Sequence, residues 1–137
     1  MAVVQRILVA TDDDAVAAKV DAALGSSSTQ VLRVRQGRAV RAAVIEHAPD
    51  LVVLDLQVGS MGGMAVSLDL RLEEGAGRLD PQRILLLLDR DADIFLARRS
   101  DADGWLIKPL DSIRLKRAAN ALASGGEFRE EPRTAVG

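Results

Sequence analysis

Charged residues follow several of the apolar runs in this sequence. Residues 12–14 are three aspartates after the first run, Asp55 ends another run, and Lys108 ends a weaker one. Carboxylates that converge in a cleft of low dielectric repel one another, so either one is protonated or a cation binds. Mg²⁺ prefers such oxygen ligands, and a lysine ammonium adds further positive charge. The pattern predicts a pocket in which Asp55 accepts a phosphoryl group while Mg²⁺ and Lys108 offset the oxygen charge.

Two kinds of segment alternate and must position these residues. Short, continuously apolar runs predict strands buried on both faces, whereas apolar residues at positions i, i+4, i+7 and i+8 predict helices. The strand runs are residues 7–10, 51–54 and 84–88, with weaker candidates at 30–35 and 104–107. The helical stripes begin at Val16, Val40 and Leu115, with less clear helices near 64–73 and 91–99.

This alternation predicts an α/β fold with one doubly wound parallel sheet. We expect a (βα)5 domain over residues 1–123, with five strands in the order 2-1-3-4-5 and right-handed crossovers. Ligands of such sheets bind beyond the carboxyl ends of the strands, where the strand order reverses. Residues 124–137 lose the periodicity and gain charge, so we expect a flexible tail or the start of a linker.

Composition excludes several functional classes. The 137 residues suit one domain, and the interspersed charges with a net charge of −2 do not suggest a nucleic-acid-binding face. The absence of cysteine excludes disulfides and thiolate metal sites. No apolar run is long enough to span a bilayer, and the N-terminus lacks the layout of a signal peptide. We therefore expect a cytoplasmic protein that contacts no membrane.

The sequence resembles the response-regulator receiver family from about Arg6 to Ala123. Residues 49–56 are similar to the phosphoacceptor strand of that family, and Gly63 matches its loop glycine. Residues 105–111 are similar to its last strand, which ends in a lysine-proline turn. The resemblance implies a flavodoxin-like receiver fold and a role in two-component signalling.

Site residues can be carried over position by position. Asp55 matches the phosphorylation site and Lys108 matches the lysine that pairs with the phosphoryl group, with a cis peptide before Pro109. Asp12 matches a direct Mg²⁺ ligand, Asp55 itself is another, and the backbone carbonyl of Gln57 is a further one. The family usually ends its first strand with two adjacent acids. A gapless match makes them Thr11 and Asp12, whereas a slide of one residue makes them Asp12 and Asp13, and the sequence leaves this choice open.

Two switch positions depart from the family pattern. Leu88 stands where the family has a serine or threonine whose hydroxyl binds the phosphoryl group, and leucine donates no hydrogen bond. The aromatic switch position is Trp105, which we expect to fill core volume because so bulky a ring rotates inward at a steric cost. The usual coupling of hydroxyl and aromatic movements is therefore in doubt.

The resulting hypothesis is an atypical receiver, phosphorylated on Asp55 by a sensor histidine kinase or a phosphotransfer protein, with Mg²⁺ bound. It is not an enzyme beyond self-phosphorylation and slow autodephosphorylation, and its fourth and fifth helices contact an unknown downstream protein or form a homodimer. The alternative is a degenerate receiver that binds partners without phosphate. A phosphatase of similar topology is disfavoured, because it needs a second aspartate where Gln57 stands. A dinucleotide-binding protein is disfavoured too, because no glycine fingerprint follows the first strand.

Overall fold

The computed structural model describes residues 5–132, in which six parallel strands form a single sheet. The strands are β1 (Gln5–Ala10), β2 (Thr29–Val34), β3 (Leu51–Asp55), β4 (Ile84–Leu88), β5 (Gly104–Ile107) and β6 (Phe128–Arg129), in the order β2-β1-β3-β4-β5-β6. The helices are α1 (Asp14–Leu24), α2 (Val40–His47), α3 (Gly63–Gly75), α4 (Ile94–Arg99) and α5 (Ser112–Ala123). The predicted doubly wound sheet and the order of its first five strands are confirmed.

The continuous apolar runs form the middle of the sheet because helices cover both of its faces. Every residue of β3, β4 and β5 is buried. One core cluster joins the sheet to α1 and α5, and the other joins it to α2, α3 and α4. Successive residues of a strand point to opposite faces, so Leu85 and Leu87 enter the first cluster while Leu86 and Leu88 enter the second. The charged residues at the strand ends therefore project from a rigid platform.

A sixth strand lies where the sequence analysis expects a flexible tail. Strand β6 pairs in parallel with β5, with Gly104 opposite Phe128. A Cβ atom on residue 104 would lie 2.4 Å from the carbonyl oxygen of Phe128, so only glycine permits this close approach. The expectation of a tail is thus wrong for residues 124–132, because backbone pairing and long-range polar contacts hold this segment. Residues 133–137 of the expected tail lie outside the described part of the chain.

Glu130 fastens β6 to the domain. Its carboxylate accepts hydrogen bonds from the Ile107 amide (2.7 Å) and from Nε of Arg114 (2.7 Å). Its backbone carbonyl accepts a hydrogen bond from the indole N–H of Trp105 (3.0 Å). Arg114 also donates to the backbone carbonyls of Ile107 and Pro109. We call this arrangement of β6, Glu130 and Arg114 the C-terminal clasp.

Candidate functional site

Asp55 lies at the carboxyl end of β3 and accepts hydrogen bonds on both oxygens. The hydroxyl of Thr11, just beyond β1, donates to Oδ2 at 2.7 Å, and the ammonium of Lys108, just beyond β5, donates to Oδ1 at 2.9 Å. The backbone amide of Gln57 lies 3.4 Å from Oδ1. Asp55 is 2% exposed, whereas the Lys108 side chain is about one-fifth exposed. The pocket is thus a buried carboxylate beneath a cation that solvent can reach.

The strand register explains why these side chains meet. Ala10 is paired with Leu54 across β1 and β3, so the next residues, Thr11 and Asp55, leave the sheet side by side. Leu88 is paired with Ile107 across β4 and β5, which places the next residue, Lys108, at the same edge. The peptide bond between Lys108 and Pro109 is cis. Asp55 and Lys108 therefore converge, as their positions at strand ends indicate.

Lys108 has a second carboxylate partner that the sequence analysis missed. Its ammonium donates to Oδ1 of Asp89 at 2.8 Å, so it bridges the ends of β3 and β4. Burial disfavours the charged lysine, but the hydrogen bonds to Asp89 and Asp55 outweigh that effect and raise the pKa of Lys108 above its ordinary value. One signal was available in the sequence: Asp89 directly follows a buried strand, as Asp55 directly ends one.

The three aspartates after β1 have separate environments. Asp13 caps α1, because its carboxylate accepts hydrogen bonds from the backbone amides of Ala15 (2.8 Å) and Val16 (3.4 Å). Asp14 pairs with the guanidinium groups of Arg33 and Arg35, whose bonds lower the pKa of its carboxyl.

Asp12 is the acid that remains beside the pocket. Its side chain is exposed, and its Oδ2 lies 3.0 Å from where a Cβ of residue 59 would stand. Because residue 59 is glycine, this space stays open. Within residues 5–132, no three acidic or histidine side chains converge as a metal-binding group. Any cation here would therefore rely on few protein carboxylates and on water, which suits Mg²⁺ better than a metal that needs an all-protein cage.

The two switch positions lie in the core. Leu88 is fully buried on the face that packs against α2, α3 and α4, so it offers the pocket no polar group. Trp105 is 5% exposed and lies in the same cluster. Its indole N–H is bonded to Glu130, and the Arg129 guanidinium lies 5.3 Å from its ring centre. Trp105 thus does more than fill volume, because it also anchors the clasp.

The response regulator receiver domain model matches residues 7–120. The chain belongs to the response-regulator receiver family. It is a receiver domain of the kind used in two-component signal transduction, and such domains are in general signalling modules that bind Mg²⁺ in an acidic pocket.

Curated relatives of this receiver include whole regulators and single domains. It is 33% identical over 105 residues to the DNA-binding response regulator MtrA of Mycolicibacterium paratuberculosis, a match that covers 77% of this chain and 45% of MtrA. It is 27% identical over 120 residues to Protein PilH of Pseudomonas aeruginosa, covering 88% of this chain and 98% of PilH. The receiver thus spans less than half the length of MtrA and nearly all of PilH.

Solved structures agree with the fold. The signal receiver domain of a signal transduction histidine kinase from Syntrophus aciditrophicus superposes with a TM-score of 0.77 at 25% identity, covering 96% of this chain and 99% of that one. A response regulator from Chloroflexus aurantiacus superposes with a TM-score of 0.78 at 20% identity, covering 88% and 98%. Among residues 5–132, no helix is both long and apolar enough to cross a bilayer.

Proposed function

We propose that this receiver accepts a phosphoryl group on Asp55 from a histidine kinase or a phosphotransfer protein. One observation carries the proposal: the Asp55 carboxylate lies at the strand ends with the Lys108 ammonium 2.9 Å away. An Asp55 oxygen forms a bond to phosphorus as the phosphorus–nitrogen bond of the donor phosphohistidine breaks, and the nitrogen keeps the electron pair. Lys108 offsets charge on the transferred oxygens.

The residues present fit a weakly held Mg²⁺. Asp12 and Asp55 would supply carboxylate oxygens and Gln57 its backbone carbonyl, and Gly59 leaves room beside Asp12. The bound ion would neutralise charge on the phosphoryl oxygens. We propose Thr11 and Asp12 as the pair that replaces the usual two acids, because Thr11 contacts Asp55 while an oxygen of Asp13 caps α1. Thr11 is neutral, so the affinity for Mg²⁺ is expected to be lower than with two acids.

The output surface is proposed to lie on α4 and α5. Phe95 and Ile113 are exposed apolar residues of these helices, and the Arg99 guanidinium lies 3.9 Å from the centre of the Phe95 ring. Apolar side chains flanked by arginine suit a protein partner better than water. The partner is either a downstream protein or a second copy of the chain.

A phosphate-independent receiver is the second candidate. One observation supports it: Leu88, at the end of β4, provides no hydroxyl for a phosphoryl group. In this alternative, α4 and α5 bind their partner whatever the state of Asp55. The two candidates differ in whether Asp55 can be modified at all.

Intact-mass spectrometry after incubation with acetyl phosphate and millimolar Mg²⁺ separates the candidates. We expect a fraction of the wild-type chain to gain one phosphoryl group, which hydroxylamine removes as it does from other acyl phosphates. Asp55→Asn should abolish the gain. Asp80→Asn should preserve it, because Asp80 is exposed before β4, at the opposite edge of the sheet. An unmodified wild-type mass, together with no binding of beryllofluoride by ¹⁹F NMR, would establish the phosphate-independent module instead.

A further inference from the structure

Asp89 has no role in the proposed phosphoryl transfer to Asp55. It follows β4 directly, and its carboxylate contacts the same ammonium that would pair with a phosphoryl group, at 2.8 Å against 2.9 Å for Asp55. Among the described residues, Lys108 is its only basic partner within ion-pair distance. The cation of the pocket is therefore shared by two carboxylates.

The backbone around Asp89 is fixed, but its side chain can move. The amides of Asp89 and Arg90 both donate to Oδ2 of Asp93, a buried carboxylate at the start of α4. The preceding Leu88 is fully buried. The Asp89 side chain itself is 38% exposed, so it can rotate into water without breaking these contacts. A fixed backbone and a side chain that can rotate suit a residue that releases its partner.

Asp89 changes the net charge of the pocket. Asp55, Asp89 and Lys108 together carry one net negative charge, whereas Asp55 and Lys108 alone would be neutral. A phosphoryl donor brings further negative charge, and like charges within a partly desolvated site raise the free energy of its approach. Lys108 is also drawn toward the end of β4, so it must share or leave Asp89 to face phosphoryl oxygens fully.

We propose that Asp89 is a positioning residue: it keeps the Lys108 ammonium bound at the end of β4 and thereby restrains phosphoryl transfer to Asp55. This inference rests on the proposed phosphoacceptor role of Asp55. It goes further in assigning a restraint on that transfer to a named residue. Rotation of Asp89 toward solvent would release the lysine to the incoming group.

Phosphorylation by acetyl phosphate and titration with beryllofluoride test the proposal. Asp89→Asn removes the charge at nearly constant volume and should raise both the phosphorylation rate and the beryllofluoride affinity, each roughly three- to tenfold. Asp89→Glu restores the charge and should bring both back toward wild type. Asp80→Asn changes net charge equally at the far edge of the sheet and should leave both unchanged.

A separate readout follows Lys108 itself. The chain has three lysines, and Lys19 and Lys116 are exposed, so ¹⁵N-lysine NMR can resolve the Lys108 ammonium. An ammonium held by two carboxylates exchanges its protons slowly, and Asp89→Asn should speed that exchange severalfold while the thermal midpoint stays within a few degrees. This readout shows whether Asp89 holds the ammonium, and the phosphorylation rate shows whether that contact restrains transfer.

The outcomes distinguish the two proposals. If wild type binds beryllofluoride and Asp89→Asn binds it equally or more weakly, the role of Asp89 is overturned while that of Asp55 stands. If neither protein binds it and neither is phosphorylated, the phosphoacceptor role fails and the restraint fails with it. Unchanged ammonium exchange in Asp89→Asn would also overturn the proposal.

Discussion

Two carboxylates, Asp55 at the end of β3 and Glu130 just beyond β6, are each paired with a cation from elsewhere in the chain. Asp55 meets the ammonium of Lys108, which it shares with Asp89, whereas Glu130 meets the guanidinium of Arg114. Lysine is a compact point charge on a flexible stem, and arginine presents a planar fork of fixed donors. The lysine pair can exchange partners, and the arginine pair holds a fixed geometry. The same elementary interaction thus maintains structure at the clasp and supports the reactivity that we propose for Asp55.

Removing the clasp carboxylate should have the largest effect on stability. Glu130→Ala removes the carboxylate that accepts hydrogen bonds from the Ile107 amide and from the partly buried Arg114, so we expect the free energy of unfolding to fall by about 2–4 kcal/mol. Urea unfolding followed by Trp105 fluorescence measures the loss. Glu127→Ala is the matched control, because Glu127 is exposed and, within residues 5–132, forms an ion pair with Arg129 alone. It should cost no more than about 0.5 kcal/mol. Equal losses in both variants would show that Glu130 has no special role.

The contrast between the two cations can be tested by exchanging their types. Arg114→Lys should cost about 1–2 kcal/mol, because lysine cannot also reach the carbonyls of Ile107 and Pro109, and it should leave phosphorylation unchanged. Lys108→Arg should change stability little but slow phosphorylation roughly tenfold, since a bulky fork replaces a point charge in the pocket. Urea midpoints and acetyl phosphate kinetics on both variants supply the four values. The proposed difference between the two cations would be refuted if Arg114→Lys slowed phosphorylation as much as Lys108→Arg does.

Alkaline pH should have the smallest effect on stability, and it should weaken the Lys108 pairs while leaving the Arg114–Glu130 pair intact. The folded-state pKa of Lys108 is raised above its ordinary 10.5, so its contribution to stability is fully present below about pH 10.5 and is lost as the pH rises through the raised pKa. The pKa of Arg114 is raised above its already high ordinary value, mainly by its hydrogen bond to Glu130, so the clasp stays charged throughout this range. The urea midpoint of wild type should thus fall above pH 10.5 more steeply than that of Lys108→Met. Parallel curves would mean that the Lys108 pairs add no stability.

Much of the fold follows from the sequence because its central strands are uninterrupted apolar runs. Because β3 and β4 are apolar throughout, they must lie in the middle of the sheet, where helices cover both faces. The parallel arrangement then brings Asp55 and Lys108 together at the carboxyl ends of the strands. The sequence leaves the roles of Asp12 to Asp14 open, because an aspartate after a strand can cap a helix, pair with arginine or line a pocket. Here Asp13 does the first and Asp14 the second, and the choice depends on neighbours distant in sequence.

Strand β6 and the Asp89 contact could not be deduced from local patterns. β6 has two residues and no periodicity, and its position depends on a glycine in β5 and on Glu130 reaching Arg114 across sixteen positions. Asp89 follows an apolar run, as Asp55 ends one, but that position does not identify its partner. Its pairing with Lys108 requires the register between β4 and β5, which no single segment encodes.

The close approach of Phe128 to Gly104 has a practical consequence for anyone who expresses this domain. A recombinant chain cut at Ala123, where helical periodicity ends, would lose β6 and uncover the outer hydrogen-bonding groups of β5, including the Ile107 amide. An uncovered strand at a sheet margin invites a neighbouring molecule to pair with it, so such a product would aggregate or form artificial dimers. Reporter fusions are better joined beyond residue 132 than directly after α5.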